Sequence, residues 1–196
     1  MVVSLLETQS AYLQNEALLA VQNSQHRVHA MSIIHQKLYQ NENMLCIDMS
    51  VYLAELIHYL RDSFNTGNGL QINTHIENIH LDISQAIPIG LIINEAVTNS
   101  IKYAFPGKQN GEIYIRMRKT SNEKILLTIA DNGIGFPDKF KINGDTLGLR
   151  LMKGLSEDIH ALFGIDDSNG IMIKVEFSEQ QFNEQIQKQK NRKIAV

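Results

Sequence analysis

Ile87-Pro88-Ile89-Gly90-Leu91-Ile92-Ile93-Asn94-Glu95-Ala96-Val97-Thr98-Asn99-Ser100-Ile101-Lys102-Tyr103-Ala104-Phe105 decides how the rest of this chain reads. With Ser84 as a cap, a helix is expected to run to about Tyr103, with Pro88 tolerated near its first turn and Phe105-Pro106-Gly107 closing it. At 3.6 residues per turn Glu95, Asn99 and Lys102 stack on one face, while Ile89, Ile93, Ala96 and Val97 fall on the other, where they can pack on a sheet. A carboxylate, an amide and an ammonium are thus displayed together on a helix with an anchored back. Taken alone, such a face is also what an ordinary solvated helix carries.

Working outward, Leu70–Ile76 alternates as a strand, and Glu112–Lys119 and Lys124–Ala130 form a hairpin through the polar turn Thr120-Ser121-Asn122. Asp131-Asn132-Gly133-Ile134-Gly135-Phe136-Pro137 follows the second of these strands. A carboxylate at a strand end can accept a hydrogen bond from an exocyclic amino group, and two glycines let the backbone approach a flat ligand. Gly144-Asp145-Thr146-Leu147-Gly148-Leu149-Arg150-Leu151 is a loop entering a helix that should last to about Ala161, and unpaired first-turn amides suit phosphate. Strands near Leu162–Asp166 and Ile171–Ser178 complete the set. Strands interspersed with helices, some joined as hairpins, give an α+β fold: a two-layer α/β sandwich with helices on one sheet face.

Ahead of it, Met1 to Gln40 holds no Gly and no Pro, and Val21, Val28 and His35 recur every seven residues among Met31 and Leu38. Residues 1–45 therefore read as an α-helical hairpin meeting near Gln14 to Glu16, residues 46–178 as the sandwich, and 179–196 as a frayed or disordered tail. Leu53, Leu56, Ile57, Leu60 and Phe64 mark a further amphipathic helix. A lone hairpin leaves apolar surface uncovered, which pairing with a second copy would cover, so a homodimer through these helices is expected.

The chain has 196 residues, 43% hydrophobic and 20% charged, with 18 Lys and Arg against 21 Asp and Glu for a net charge of −3. Acidic and basic residues are spread evenly, so no basic stripe offers itself to nucleic acid. Ala86–Ile93 falls far short of the ~20 apolar residues of a membrane span, and residues 1–25 lack the order of a signal peptide. Cys46, the only cysteine, reads as a small apolar filler and fits a cytoplasmic setting.

Together and in this order, the three segments resemble the N box, G1 box and G2 box of the ATPase and kinase superfamily shared by sensor histidine kinases, gyrase-type topoisomerases and heat-shock chaperone ATPases. The wording of residues 87–105 is most similar to the histidine kinase branch whose N box reads NExxTNxxKYAF. Gln25-His26-Arg27-Val28 through Leu38-Tyr39 likewise looks like the second dimerisation helix of that branch. The resemblance implies ATP and Mg²⁺ as cofactors and a response regulator receiver domain as partner. It implies that Asn99 coordinates Mg²⁺ and that Lys102, beside Tyr103, meets a phosphate. Asp131 would accept the adenine amino group above Gly133 and Gly135, and Leu147 and Gly148 would open a helix under the phosphates. Glu95 would orient or deprotonate the attacking group, an acceptor imidazole or a water. Asp138–Asp145 would be a lid.

The phosphoacceptor motif of that branch, similar to HHRVKNN, is not in the chain; by the resemblance it would sit about two to three helical turns before Met1. His26, His29 and His35 read better as bundle residues than as acceptors. Ile171 stands where the family usually has a threonine beside adenine, Thr146 where the wider superfamily often has glycine, and His160-Ala161 replaces a Gly-Gly pair. Two other readings compete: a non-catalytic dimeric module with a degenerate pocket, which Ile171 mildly favours, and a serine-directed kinase or ATPase on the same fold, which the N-terminal helices disfavour.

Overall fold

The computed structural model describes residues 16–40, 46–66, 69–107, 110–136 and 146–179. The first helix of the expected hairpin, the expected lid and the tail beyond Glu179 lie outside the described residues. The elements run α1 (Glu16–Gln40), β1 (Cys46–Asp48), α2 (Met49–Ser63), β2 (Leu70–Ile76), β3 (His80–Asp82), α3 (Ile83–Asn99), a π-helical turn (Ser100–Ala104), β4 (Gly111–Lys119), β5 (Lys124–Asp131), α4 (Leu147–Asp158), β6 (Leu162–Asp166) and β7 (Met172–Ser178). Five strands form one mixed sheet in the order β2-β4-β5-β7-β6, parallel only between β2 and β4. The two short strands β1 and β3 pair antiparallel in a separate ribbon. Three-residue strands are too short for a period-2 pattern, and neither was expected from the sequence.

Alternation along the strands fixes which side of the sheet is covered. Ile113, Ile115 and Met117 of β4, Ile125, Leu127 and Ile129 of β5, and Ile173, Val175 and Phe177 of β7 are all buried. Opposite them, Tyr114 and Arg116 face outward. Because the period is two, Asp131 continues the buried series of β5, opposite Ile113 in register. The strand thus delivers a carboxylate to the helix-covered side of the sheet.

On that side, α2 buries Met49, Tyr52, Leu53, Leu56, Ile57 and Leu60, and α3 is buried nearly all round. The polar face that, taken alone, could have been a solvated one is covered because α1 packs along it; Ala30, Ile33 and Ile34 of α1 join the same core. Gly90 makes the close packing possible: a Cβ there would lie 1.9 Å from the Tyr52 hydroxyl, which stands between the helices and donates to the Ala30 carbonyl at 3.4 Å.

Three helix ends differ from expectation. Asp82, not Ser84, caps α3, its carboxylate accepting from the Ser84 and Gln85 amides at 2.7 and 3.2 Å and from the Ser84 hydroxyl at 2.6 Å. An ionised carboxylate competes better for those amides than the hydroxyl beside it. The regular helix stops at Asn99, and Ser100–Ala104 continues as a π turn rather than α-helix to Tyr103. Helix α4 ends at Asp158, where His160 takes φ +54° and the Ala161 amide turns back to the Ser156 carbonyl. His160 occupies the left-handed position that the expected Gly-Gly pair would have filled without strain.

Candidate functional site

At one end of the site, Asp131 closes β5, 5% exposed. Its Oδ2 accepts from the Ser100 hydroxyl at 2.6 Å, and its Oδ1 accepts from the Gly133 amide at 2.9 Å and the Ile171 amide at 3.2 Å. A buried carboxylate needs such donors. Each oxygen has two acceptor sites, so Oδ2 keeps one for an amino group. Glycine is demanded on two sides. At Gly133 a Cβ would lie 2.4 Å from the Ala104 Cβ, and at Gly170, which takes φ +79°, it would lie 2.0 Å from the Asp131 carbonyl oxygen. Gly135 also takes positive φ, +70°. Ile171 contributes through its backbone, so the bond it supplies to Asp131 does not depend on the missing threonine hydroxyl.

The π turn links this end to the next. Ser100 is bound to Asp131, while Asn99, the residue before it, faces α4: a Cβ on Gly148 would meet Glu95 Oε2 at 3.2 Å and Asn99 Nδ2 at 3.4 Å. Any side chain at 148 would press on both. Thr146 caps α4, its hydroxyl oxygen accepting from the Leu149 amide at 3.2 Å, so threonine serves where the wider superfamily has glycine. The earlier first-turn amides have no acceptor within the helix. Leu147 is 67% exposed at this opening.

Glu95 and Lys102 are turned toward α1. Arg27 donates to both carboxylate oxygens of Glu95, Nε to Oε1 at 2.7 Å and Nη2 to Oε2 at 2.9 Å, a two-pronged ion pair with Glu95 buried. The bond to Glu95 raises the Arg27 pKa above its ordinary value. Lys102 donates to Asn23 Oδ1 at 2.5 Å and lies 5.5 Å over the Phe64 ring. Burial is the main cause lowering its pKa, opposed by the Glu95 charge and aided by Arg27. Between these contacts His26 shares a hydrogen bond of 3.0 Å with the Tyr59 hydroxyl and packs on Phe64, and His29 stacks on Tyr59. Burial and the Lys102 charge lower the His26 pKa to about 4. His26 and His29 are therefore packed as bundle residues, whereas His35 is exposed on α1.

The structure thus brings Glu95, Asn99 and Gly148 together, and joins Asp131 and Gly133 to them through Ser100. Lys102 is directed to α1, and Tyr103 is 64% exposed. Sequence reasoning missed Arg27, Asn23 and Ser100. The first two sit one turn apart on α1, a spacing visible in the sequence, but nothing in one chain says that this face meets α3. Ser100 carries no signal beyond its place after Asn99. Among the described residues no group of three or more His, Cys, Asp or Glu could hold a metal, and no helix is long and apolar enough to cross a membrane.

A mixed sheet covered on one face, with a helix flank, a Gly-bearing turn and a helix N-terminus converging, defines an α/β sandwich carried behind a long helix. The chain belongs to the histidine kinase family: the profile described as "Histidine kinase-like ATPase domain" matches residues 70–173, and that described as "Histidine kinase" matches residues 1–64. It is 24% identical over 139 residues to the Blue-light-activated histidine kinase 2 of Erythrobacter litoralis, covering 69% of this chain and 40% of that protein, so it spans well under half of that relative. It is also 26% identical over 111 residues to the Serine-protein kinase RsbW of Listeria innocua, covering 48% of this chain and 68% of that one. Among solved structures, the histidine kinase domain of the blue-light-activated kinase EL346 of Erythrobacter litoralis shares the fold with a TM-score of 0.72 at 20% identity, over 91% of this chain and 95% of that one. The mycobacterial sensor histidine kinase MprB aligns with a TM-score of 0.55 at 16% identity, over 70% of this chain and 98% of that one.

Proposed function

We propose that the chain is the ATP-binding phosphotransfer core of a cytoplasmic two-component sensor histidine kinase, passing the γ-phosphoryl of ATP to a histidine in a helical segment paired with a second copy, for relay to a response regulator receiver domain. The observation that carries the reading is that two consecutive residues serve the two ends of one site. Asn99 faces Gly148 at the phosphate-suited helix opening, and Ser100 holds Asp131 at the base-suited strand end.

In this reading Asp131 takes the adenine amino group on Oδ2, with Gly133 and Gly135 keeping the floor open to a flat ring. The amides of Leu147 and Gly148 receive phosphate oxygens. The Asn99 side-chain oxygen, a single ligand rather than a cage, would suit Mg²⁺, which keeps waters and binds largely through phosphates. When bound, Mg²⁺ supplies charge neutralisation at the phosphates. Glu95 then orients or takes a proton from the attacking group, with its carboxylate held against the α4 opening.

Incubating the chain with γ-labelled ATP and magnesium tests this. The expected result is nucleotide binding and slow release of labelled phosphate, with no stable label on His26 or His29, which are packed against Tyr59. Acid-labile label on this chain would move the acceptor into it. Acid-stable label on serine in an added substrate protein would favour the serine-directed reading that the similarity to RsbW raises.

A further inference from the structure

We propose that the start of α3, beside the β1–β3 ribbon, is a docking site for the chain's own residues 180–196: Phe182 and Ile186 cover Ile83 and Ile87 where the chain leaves β7. The point of departure is fixed. Ser178, the last residue of β7, accepts through its carbonyl from the side-chain amide of the buried Gln85 at 2.8 Å, and Glu179 pairs with Lys119 at 2.9 Å. The chain therefore leaves the sheet against the first turn of α3 and the end of β4. From Ser178 to Phe182 is a reach of up to about 13 Å, more than the ~10–12 Å width of a helix. That carries an aromatic ring past the end of α3 to Ile83, its first residue, which is 40% exposed.

Spacing and charge both match. Ile83 and Ile87 stand one turn apart on α3, the first exposed and the second half-buried against the core. Phe182 and Ile186 have the same spacing and are the only apolar side chains between residues 180 and 193, so two one-turn ridges can interlock. With so few apolar residues the segment cannot build a core of its own and gains order only on another surface. It holds Lys188, Lys190, Arg192 and Lys193 against Glu184, a net of +3 on a chain whose total is −3. Carboxylates gather where it departs. Glu77 accepts from the Lys119 amide at 2.8 Å. Burial, then the charges of Asp82 and Glu179, raise the Cys46 thiol pKa, which sets both carboxylates close to that sulfur. A basic segment is thus attracted to its own exit. The short tether also favours this chain's segment over a second copy's, because the effective concentration across such a link is millimolar. Docked there, the segment ties the C-terminal end of β7 to the ribbon that follows α1, in which Cys46 pairs with Asp82. The proposal is independent of the nucleotide reading.

Methyl nuclear magnetic resonance of the full chain tests it directly. The Ile83 δ1-methyl signal, assigned by its loss in I83V, is expected to show a nuclear Overhauser contact to the Phe182 ring and to shift in F182S. Absence of the contact, or an Ile83 signal unmoved in F182S, overturns the proposal. Cys46, the only cysteine, gives an independent readout. Its rate with iodoacetamide, taken from the pH profile at full ionisation so that the thiol pKa does not enter, is expected to be about fivefold faster in F182S/I186S than in the parent. Both changes fall beyond Glu179 and leave every described contact in place. Equal rates overturn the proposal. Protection of Cys46 that disappears on dilution assigns the covering segment to a second copy and overturns the intramolecular dock.

Discussion

The two ends of the site are held in different ways. At the base end Asp131 is fixed by its own neighbourhood: the Gly133 amide two residues on, the Ile171 amide from the start of the adjacent strand, and the Ser100 hydroxyl from the π turn. At the end proposed for the phosphates, Glu95 and Lys102 are held by side chains of a distant helix, over sequence separations of 68 and 79 residues. Two of the three bonds to Asp131 come from backbone amides at strand ends and are hard to give up without disturbing the sheet, whereas side-chain contacts between helices can be exchanged. In the proposed reading, a rigid base socket beside an exchangeable phosphate end suits a ligand that is recognised first and acted on second.

The largest effect should come from breaking the rigid end. Gly170→Ala places a Cβ 2.0 Å from the Asp131 carbonyl at a φ of +79°; a loss of roughly 3 kcal/mol or more in stability is expected, read by thermal denaturation. Next, Asp131→Asn should keep the fold but lose about 1.5–3 kcal/mol of binding, the scale of a hydrogen bond to a charged group, and lose it equally for adenosine and ATP in calorimetry. Asn99→Asp should instead cost about 1–2 kcal/mol by like-charge repulsion, for ATP and not for adenosine. Equal losses for both ligands in both variants would erase the distinction between the ends. Ser100→Ala removes one net hydrogen bond, about 1 kcal/mol, and should weaken adenosine and ATP alike.

A smaller effect sharpens the other side of the comparison. His26 faces Lys102, His29 and Glu95 where α1 meets α2 and the π turn, and burial holds its pKa at about 4, below the ordinary 6.5. As pH falls the unfolded chain therefore takes up the proton first. This contribution to stability is complete above pH 6.5 and is lost as pH drops toward about 4. Melting temperature should decline by a few degrees across that window, and His26→Gln should flatten the decline.

Much of this was legible because local chemistry specified it. Leu70–Ile76 and the β4–β5 hairpin follow from alternation, α2 from its apolar spacing, and the parity of β5 places Asp131 on the covered face. Grouping Glu95 and Asn99 needed only helical geometry. The illegible part depends on tertiary competition. Asp82 outcompetes Ser84 as the α3 cap, α1 covers a face that looked solvated, and the π turn rotates Ser100 onto Asp131 where a continuing α-helix was expected. Arg27 could not be read as a partner of Glu95, because no spacing rule connects residues 68 positions apart on helices that meet only in the tertiary fold.

The central claim is that a base and its phosphates span one site from Asp131 to Gly148. Calorimetric titration of the chain with a non-hydrolysable ATP analogue, with and without Mg²⁺, tests it most directly. The account predicts binding that magnesium strengthens in the parent and that Asp131→Asn weakens. No heat with the folded parent chain, or identical affinity in Asp131→Asn, would contradict it.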